Sequence, residues 1–244
     1  MNTEELTNKL IQDIEQEKYK YAQAIPSERD FVQIYEMNRS AVKKAIQQLV
    51  NKEYLLKVHG KGTFVKKNIH EHLQIKFHGL SELLEREGIQ PSSLILASEI
   101  KPAGHIVGKA LQLEPTEEVF HLVRLRSGDG EPISIEDTYI PLNLIPDLQA
   151  FDFQIFSFYS TLAAYHYQIK NIYQTISSSK VRNKEARLLK TSLNRPVISL
   201  AITAVTTNEQ AVEYTEVVVL PEFAAIYTKN VHQGKEMKIY AQID

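Results

Sequence analysis

Basic side chains are concentrated in one short stretch of the 244-residue chain. Residues 39–67 carry eight lysines and arginines against one acid, a local balance of +7, whereas the whole chain has a net charge of −2. Side chains of this type neutralise the phosphates of nucleic acids, and a helix face that carries them can also reach base edges. Charge alone leaves open an ordinary solvated basic helix. We expect nucleic-acid contacts from the predicted face formed by Arg39, Ser40, Lys43, Lys44 and Gln47.

Two predicted helices would position these side chains. The first is expected to begin at Pro26, since proline suits the first helical position, and Ser27 with two acids after it favours a helix start. Residues 36–38 form a turn, in which Asn38 is a candidate N-cap. The second helix is predicted from about Arg39 to Asn51, because apolar residues recur there at helical spacing. These residues are Val42, Ala45, Ile46, Leu49 and Val50.

A short hairpin follows the second helix. Residues 54–58 and 63–65 alternate like strands, and His59-Gly60-Lys61-Gly62 joins them with two glycines that can adopt positive φ. The order of helix, turn, basic helix and hairpin is that of a winged helix-turn-helix, which places its second helix in the major groove of DNA. This order favours DNA binding over the solvated-helix alternative.

Charge and length divide the chain into two predicted domains. Residues 1–68 would form the winged helix-turn-helix, residues 69–76 a linker, and residues 77–244 a second domain. The charge balance is +3 up to residue 68 and −5 from residue 69 onward, as expected of a protein that binds DNA with one end. His70 and His72 of the linker are interpreted as solvated, because no third metal ligand lies near them in the sequence.

Composition excludes several classes of protein. The chain has no cysteine, and therefore no disulfide framework, thiolate nucleophile or cysteine-ligated zinc. No apolar run reaches the length of a membrane span, and the charged, amphipathic N-terminal segment does not resemble a signal peptide. We expect a cytoplasmic protein without a bound metal, a cofactor or a membrane partner.

The second domain is predicted to be α+β, an antiparallel sheet with helices packed on it. Strands are expected at residues 93–100, 118–126, 133–140, 168–178, 197–207 and 211–220. Helices are expected at residues 80–88, 105–113, 155–165 and 183–189. A turn at residues 129–132 would connect the second and third strands of this set.

Several polar side chains of the second domain are unusual for a sheet. Arg124 and Arg126 lie on one face of a predicted strand, Glu136 lies on its partner strand, and Glu213 lies on the last long strand. Ser157 would begin a helix, where backbone N–H groups point at anions. Arginine in an apolar sheet either pairs with an acid or binds an anion, and both alternatives stay open. Spacing alone slightly favours salt bridges, to Glu136, Glu213 or Glu216.

The first domain resembles the DNA-binding domain of the GntR family of transcriptional regulators over residues 3–67. The family's pattern is approximately L-P-S-E-R-x-L-A, then S-R-x-T-V-R-x-A-L-x-x-L, then G-x-G-T-F-V. The chain matches it at Pro26, Ser27, Glu28, Arg29, Arg39, Val42, Ala45, Leu49, Gly60, Gly62, Thr63, Phe64 and Val65.

This resemblance implies a set of DNA contacts. Arg29 and Arg39 would touch phosphates or guanine edges, Lys43 stands where the family usually has arginine, and the wing tip at Gly60 would enter the minor groove. The implied DNA-binding residues are Ser27, Arg29, Asn38, Arg39, Ser40, Lys43, Lys44, His59, Gly60, Lys61, Gly62 and Thr63.

The second domain resembles the UTRA ligand-sensing domain of the HutC subfamily, a fold similar to that of chorismate lyase. The matching segments are residues 123–141, 156–162, 179–200 and 212–220. In sugar-phosphate-sensing members, the matching arginines and a helix-start serine hold the phosphate, and the matching glutamates hold the sugar. The implied effector-binding residues are Arg124, Arg126, Glu136, Ser157, Tyr159 and Glu213.

Together the resemblances imply a one-component bacterial transcriptional regulator, which in this subfamily is usually a repressor. It would bind an inverted-repeat operator in double-stranded DNA as a homodimer and respond to a small anionic metabolite, with a sugar phosphate as the preferred candidate. The alternatives are a chorismate-lyase-like enzyme with an accessory DNA-binding domain, and an architectural DNA-binding protein without a ligand. We expect no enzyme, because the sequence has no nucleophile–base pair, glycine-rich phosphate loop or metal-ligand spacing.

Overall fold

The structure, a computed structural model, describes residues 1–66 and 79–228 and the backbone of residues 241–242. These residues divide into two compact units. The first comprises residues 1–66 together with Ala150–Asp152 and Ala163–Tyr165, and the second comprises the remainder. The predicted linker at residues 69–76 and the domain boundaries beside it lie outside the described residues.

Three helices form the body of the first unit: α1 (Thr3–Glu15), α2 (Glu28–Tyr35) and α3 (Arg39–Asn51). The prediction for α3 is confirmed, because Asn38 caps it and its Oδ1 accepts from the backbone N of Ala41 at 2.8 Å. The prediction that α2 begins at Pro26 is wrong. Ser27 and Asp30 form a reciprocal capping box, which fixes Ser27 as the N-cap and leaves Pro26 outside the helix.

The apolar faces of the three helices meet in one core. Its fully or almost fully buried members include Leu6, Leu10, Ile14, Phe31, Val42, Ala45, Ile46 and Leu49. They recur every three or four residues along α1 and α3, so each helix buries one stripe. Burial of this stripe on α3 turns the opposite side of the helix, which carries the basic residues, toward solvent.

A hairpin completes the first unit. It pairs β1 (Leu55–Val58) with β2 (Gly62–Val65) in antiparallel register. Gly60 and Gly62 have φ values of 74° and 132°, as predicted from the two glycines of the loop. A single bridge from Ala24 to Phe64 adds a third chain segment to the hairpin.

The second unit is built on a sheet of β3 (Pro91–Pro102), β4 (Glu118–Gly128), β5 (Glu131–Pro141), β6 (Ile169–Lys180), β7 (Pro196–Thr206), β8 (Ala211–Val219) and β9 (Ala241–Gln242). The strand order is β3-β4-β5-β8-β7-β6-β9. The paired strands are antiparallel except for β6 and β9. This sheet, with helices on it, confirms the predicted α+β fold, although β9 was not predicted.

The helices of the second unit are α4 (Leu80–Arg86), α5 (Gly104–Leu111), α6 (Phe158–Ala164), α7 (Asn183–Leu188) and α8 (Ala224–Thr228), with 3-10 turns at Leu148–Ala150 and Pro221–Phe223. The sequence did not predict α8 or the 3-10 turns. The helix predicted over residues 155–165 starts later, because Phe156 is buried in non-helical backbone and the carbonyl of Ser157 accepts the first helical bond, from Thr161 at 3.0 Å. The turn predicted at 129–132 shrinks to Asp129-Gly130, with φ values of 51° and 84°.

Candidate DNA interface and effector site

The exposed side of α3 carries the basic residues that were predicted to contact DNA. Arg39, Ser40, Lys43 and Lys44 are all exposed. Within the described residues, Arg39, Lys43 and Lys44 form no side-chain hydrogen bond or ion pair. Exposed cations of this kind remain hydrated and can exchange that water for phosphate oxygens, so this face is chemically suited to a DNA backbone.

Two of the predicted contact residues also start helices. Asn38 Oδ1 accepts from the backbone N of Ala41 and from Ser40 Oγ, each at 2.8 Å. Ser27 Oγ donates to Asp30 Oδ2 at 2.7 Å and accepts from the backbone N of Asp30 at 3.2 Å. The hydrogen bonds from Ser27 lower the pKa of the Asp30 carboxyl. Asn38 and Ser27 therefore set where α3 and α2 begin.

The wing supplies the remaining predicted contacts. His59, Gly60 and Lys61 form the exposed loop between β1 and β2, Gly62 is the exposed first residue of β2, and Thr63 is half-buried on β2. Arg29 is exposed on α2. Every residue predicted to contact DNA thus lies in the first unit, and each except Thr63 is exposed.

A cleft of about 540 Å³ beside α3 brings in two residues that were not predicted as site residues. It is lined by Glu28, Arg39, Ser40, Lys43 and Lys57. Glu28 Oε1 and Lys57 Nζ form an ion pair at 2.7 Å. The charge count included Lys57, but nothing in the sequence indicated that the first residue of α2 meets the middle of β1.

In the second unit, the two sheet arginines meet one carboxylate. Arg124 on β4 lies directly opposite Glu136 on β5, and its Nη2 donates to Glu136 Oε2 at 2.8 Å. Arg126 Nη1 donates to the same oxygen at 2.9 Å, and its Nη2 donates to Ser81 Oγ of α4 at 2.7 Å. All three charged side chains are buried. Glu136 is therefore the direct salt-bridge partner, while Glu216 accepts a hydrogen bond from Tyr214.

The second oxygen of Glu136 belongs to a smaller network. Tyr227 of α8 donates its hydroxyl to Glu136 Oε1 at 2.8 Å, and the Tyr227 and Ser134 hydroxyls lie 2.6 Å apart. Burial acts to raise the pKa of Glu136. The charges of Arg126 and Arg124 and the bond from Tyr227 outweigh it, so the pKa falls below its ordinary value. Glu136 is therefore ionised at neutral pH, and two guanidinium groups share its one negative charge.

Glu213 lies in a different environment. Its Oε1 accepts from Thr215 Oγ1 at 2.8 Å, and its carboxyl also shares a hydrogen bond with Tyr159 of α6. Burial raises the pKa of Glu213 despite these bonds. Burial, followed by the charge of Glu213, raises the pKa of Tyr159 well above its ordinary value. This carboxyl is thus easier to protonate than Glu136.

Several buried polar atoms of this cluster lack a partner in the part of the chain that the structure describes. They are Arg124 Nε, Arg126 Nε and Glu213 Oε2, together with Gln174 Oε1. Buried polar atoms in native proteins are normally satisfied. A bound oxyanion that also carries hydroxyl groups would supply acceptors to the arginines and donors to the glutamate.

The structure brings together most of the predicted effector residues. Arg124 and Arg126 both donate to Glu136, and Tyr159 and Glu213 form a second pair. Ser157 precedes α6, with its Oγ near the backbone N of Ser160 at 3.5 Å, and forms no hydrogen bond with either arginine among the described residues. Three further members of the cluster were not predicted from the sequence: Ser81 of α4, Ser134 of β5 and Tyr227 of α8.

Other kinds of site find no support in the described residues. Over residues 1–66 and 79–228, no group of three or more His, Asp or Glu side chains is arranged to hold a metal ion. No helix within the same ranges is long and apolar enough to cross a membrane.

Comparison with known families identifies both units. The family model described as bacterial regulatory proteins of the gntR family matches residues 2–65, and the UTRA domain model matches residues 86–222. The chain belongs to the GntR family of bacterial regulatory proteins, in the HutC-like group that joins this helix-turn-helix domain to a UTRA domain. It is a transcriptional regulator that binds DNA through the first domain and a small-molecule effector through the second.

Individual relatives agree with this assignment. An uncharacterized HTH-type transcriptional regulator, YurK of Bacillus subtilis strain 168, is 29% identical over 205 residues, which cover 83% of this chain and 84% of YurK. The "Probable fructoselysine utilization operon transcriptional repressor" of Escherichia coli strain K12 is 28% identical over 209 residues, or 85% of this chain and 86% of that protein. The crystal structure of PhnF from Mycobacterium smegmatis shares the fold, with a TM-score of 0.57, 17% identity and 98% of each chain covered. The matches are regulators and not enzymes, so the enzyme alternative is not retained.

Proposed function

We propose that this regulator is a homodimeric repressor whose binding to an inverted-repeat operator is controlled by a small phosphorylated metabolite, a sugar phosphate. In this proposal α3 and the wing contact the operator, and the phosphate binds Arg124 and Arg126. The observation that carries the proposal is the pair of buried arginines that share a single carboxylate. Their Nε atoms, without a partner among the described residues, add donors that an oxyanion could use.

The chemistry of the cluster suits a phosphate that is attached to a polyol. A guanidinium group donates two parallel hydrogen bonds to phosphate oxygens, and two such groups carry more positive charge than Glu136 neutralises. Glu213 offers an acceptor to a sugar hydroxyl, and Ser157 and Tyr159 add hydroxyls from the start of α6. The name of the Escherichia coli relative refers to a fructoselysine utilization operon, which supports a sugar-derived effector for this chain by analogy.

Repression through an inverted repeat would require two copies of the chain. Two-fold symmetry in a protein mirrors a pseudo-palindromic DNA site, and each α3 would enter one half-site. The effector then needs only a coupling free energy of about 1–3 kcal/mol between the two sites to change operator affinity five- to 150-fold.

A thermal-shift experiment on the full chain tests the effector assignment. Hexose 6-phosphates and inorganic phosphate are the probes, and the corresponding unphosphorylated hexoses are the controls. A ligand that binds only the folded state adds about 2.7 kcal/mol of stability at a hundredfold excess over its Kd. We expect a hexose phosphate to stabilise the wild type and to lose this effect in Arg126→Lys, which keeps the charge without the planar fork.

Two results would count against the proposal. If no phosphorylated probe stabilises the wild type, the arginine pair is a structural salt bridge. If the unphosphorylated hexoses stabilise it equally well, the effector is not recognised through a phosphate. The homodimer is tested separately by analytical ultracentrifugation of the full chain with its selected operator, where one protomer per operator would contradict it.

A further inference from the structure

One carboxylate lies among the cations of the cleft beside α3. Glu28 lines this cleft together with Arg39, Lys43 and Lys57. It forms its ion pair with Lys57, at 2.7 Å, while Arg39 and Lys43 have no side-chain partner among the described residues. One cation of the cleft is thus occupied by a neighbour within the protein.

Fold stability does not account for this pair. The Lys57 side chain is 49% exposed and that of Glu28 is 20% exposed, and ion pairs at exposed sites contribute little to stability. A carboxylate in the first turn also favours the positive end of the α2 dipole, but that effect depends neither on Lys57 nor on DNA.

The consequence for DNA binding follows from counterion release. Each cation that neutralises a phosphate adds to the sequence-independent affinity and to its dependence on salt. Lys57 can neutralise a phosphate only after its ion pair with Glu28 is broken, and the Glu28 carboxylate itself repels phosphates. The contacts of Arg39 and Lys43 with base edges are not restrained in this way.

We propose that Glu28 limits the sequence-independent DNA affinity of this regulator by holding Lys57 in an ion pair, and so raises the ratio of specific to non-specific binding. The inference rests on the proposed function of α3 and the wing as the DNA-contacting surface. Glu28 is a positioning residue in this account, because it acts through Lys57.

The test compares Glu28→Gln, Lys57→Gln and the double variant in the full chain. Affinity for a duplex of random sequence and for the selected operator is measured by fluorescence anisotropy over a range of salt concentrations. We expect Glu28→Gln to raise non-specific affinity several-fold, to lower the ratio of specific to non-specific binding, and to steepen the log–log salt slope by up to about 0.9 per protomer, the value for one added phosphate contact. In the Lys57→Gln background, Glu28→Gln is expected to leave the salt slope unchanged, because no lysine is released there, and to raise affinity less than it does in the wild type, since only the direct repulsion by the carboxylate is removed.

A matched ion pair in the same unit provides the control. Glu53 pairs with Lys66 at 3.0 Å and does not line the cleft, so Glu53→Gln makes the same charge change at another place. An unchanged salt slope in Glu28→Gln would overturn the inference, as would an equal effect of Glu53→Gln or a change in slope that persists without Lys57. Thermal unfolding checks that each variant is folded, and the salt slope reports a change that weaker helix capping does not produce.

The failure of this inference can be told apart from failure of the proposed DNA surface. If Arg39→Ala leaves operator binding intact, the surface itself is wrongly assigned. If Arg39→Ala abolishes operator binding and Glu28→Gln has no effect on the slope or the ratio, only the role of Glu28 is wrong.

Discussion

Two groups of positively charged side chains lie in very different surroundings. The first group is on α3 and comprises Arg39, Lys43 and Lys44, and the second is on β4 and comprises Arg124 and Arg126. The α3 cations are exposed and have no side-chain partner among the described residues. The β4 arginines are buried, and both donate to one oxygen of Glu136. Water stabilises the first group at no structural cost, whereas the second depends on Glu136 for its charge balance.

Under the proposed function, this contrast would let one chain recognise two different anions. A hydrated face accepts any phosphate of a long polymer, so its selectivity must come from base contacts and from restraint of the cations. A buried pair admits only an anion that fits among its partners, so its selectivity is built into the cluster. The contrast predicts that substitutions in the two places differ in whether they change stability or DNA binding.

The largest effect on stability is expected from Glu136→Ala. It leaves two buried guanidinium groups without their shared carboxylate, and breaking a buried pair in this way costs about 3–5 kcal/mol. Urea unfolding of the full chain measures the loss, with Lys57→Gln as the exposed-pair control at about 1 kcal/mol or less. Similar losses in the two variants would remove the distinction between the two clusters.

Tyr227→Phe tests the contribution of a single hydrogen bond within the buried cluster. It deletes the hydroxyl that donates to Glu136 Oε1 at 2.8 Å and keeps the ring. A hydrogen bond to a charged group contributes about 1.5–3 kcal/mol, so we expect the free energy of unfolding to fall by that amount. A variant as stable as the wild type would mean that this bond contributes nothing to the network.

Arg39→Ala is expected to act on DNA binding alone. A good arginine contact with a base is worth about 1–3 kcal/mol, so operator affinity should fall by this amount for each half-site. Thermal stability should stay within about 0.5 kcal/mol of the wild type, because the side chain is exposed. Lys52→Ala, at the far end of α3, is the control and should weaken operator binding less. Equal losses in the two variants would contradict the assignment of the helix N-terminus to the bases.

These expectations rest on features that the sequence reveals to different degrees. The bounds of α3 followed from the Asn38 cap and the apolar stripe, which are local signals. The predicted hairpin placed Glu136 on the partner strand of Arg124, but it did not place the two residues opposite each other, because their pairing depends on a register shift between Arg126 and Ser127. Local sequence patterns do not reveal which side chains of distant elements contact one another.

Ser81 and Tyr227 show this limit. They reach the arginine cluster from helices 45 and 91 residues away from their partners, and a serine in a helix or a tyrosine after the last predicted strand has no distinguishing pattern. The start of α2 was misplaced for a different reason. A proline at the first helical position predicts that α2 starts at Pro26, whereas a serine N-cap predicts that it starts two residues later, at Glu28. The reciprocal hydrogen bonds between Ser27 and Asp30 fix the later start.

The smallest expected effect is a dependence of stability on pH through Glu213. Burial raises the pKa of this carboxyl above its ordinary value of 4.5, so the folded state binds the proton more tightly than the unfolded chain does. The resulting stability is fully present below the unfolded pKa and is lost as pH rises through the folded pKa. Relative to Glu213→Gln, the wild type should therefore lose stability as the pH rises from the unfolded-state pKa to the folded-state pKa of Glu213, by at most about 1.4 kcal/mol per pH unit. Urea unfolding of both proteins at a series of pH values measures it, and a constant difference between them would contradict the effect of burial.

The central claim is that an anion at the buried arginines controls DNA binding by the exposed cations. The most direct test is to titrate the operator complex of the full chain with the hexose 6-phosphate that stabilises it, in the wild type and in Arg126→Lys. We predict that the ligand lowers the operator affinity of the wild type about five- to 150-fold. Without ligand, Arg126→Lys should bind the operator as tightly as the wild type does, and its operator affinity should not change when the ligand is added. Equal release from both proteins, or no release from a wild type that binds the ligand, would contradict the claim.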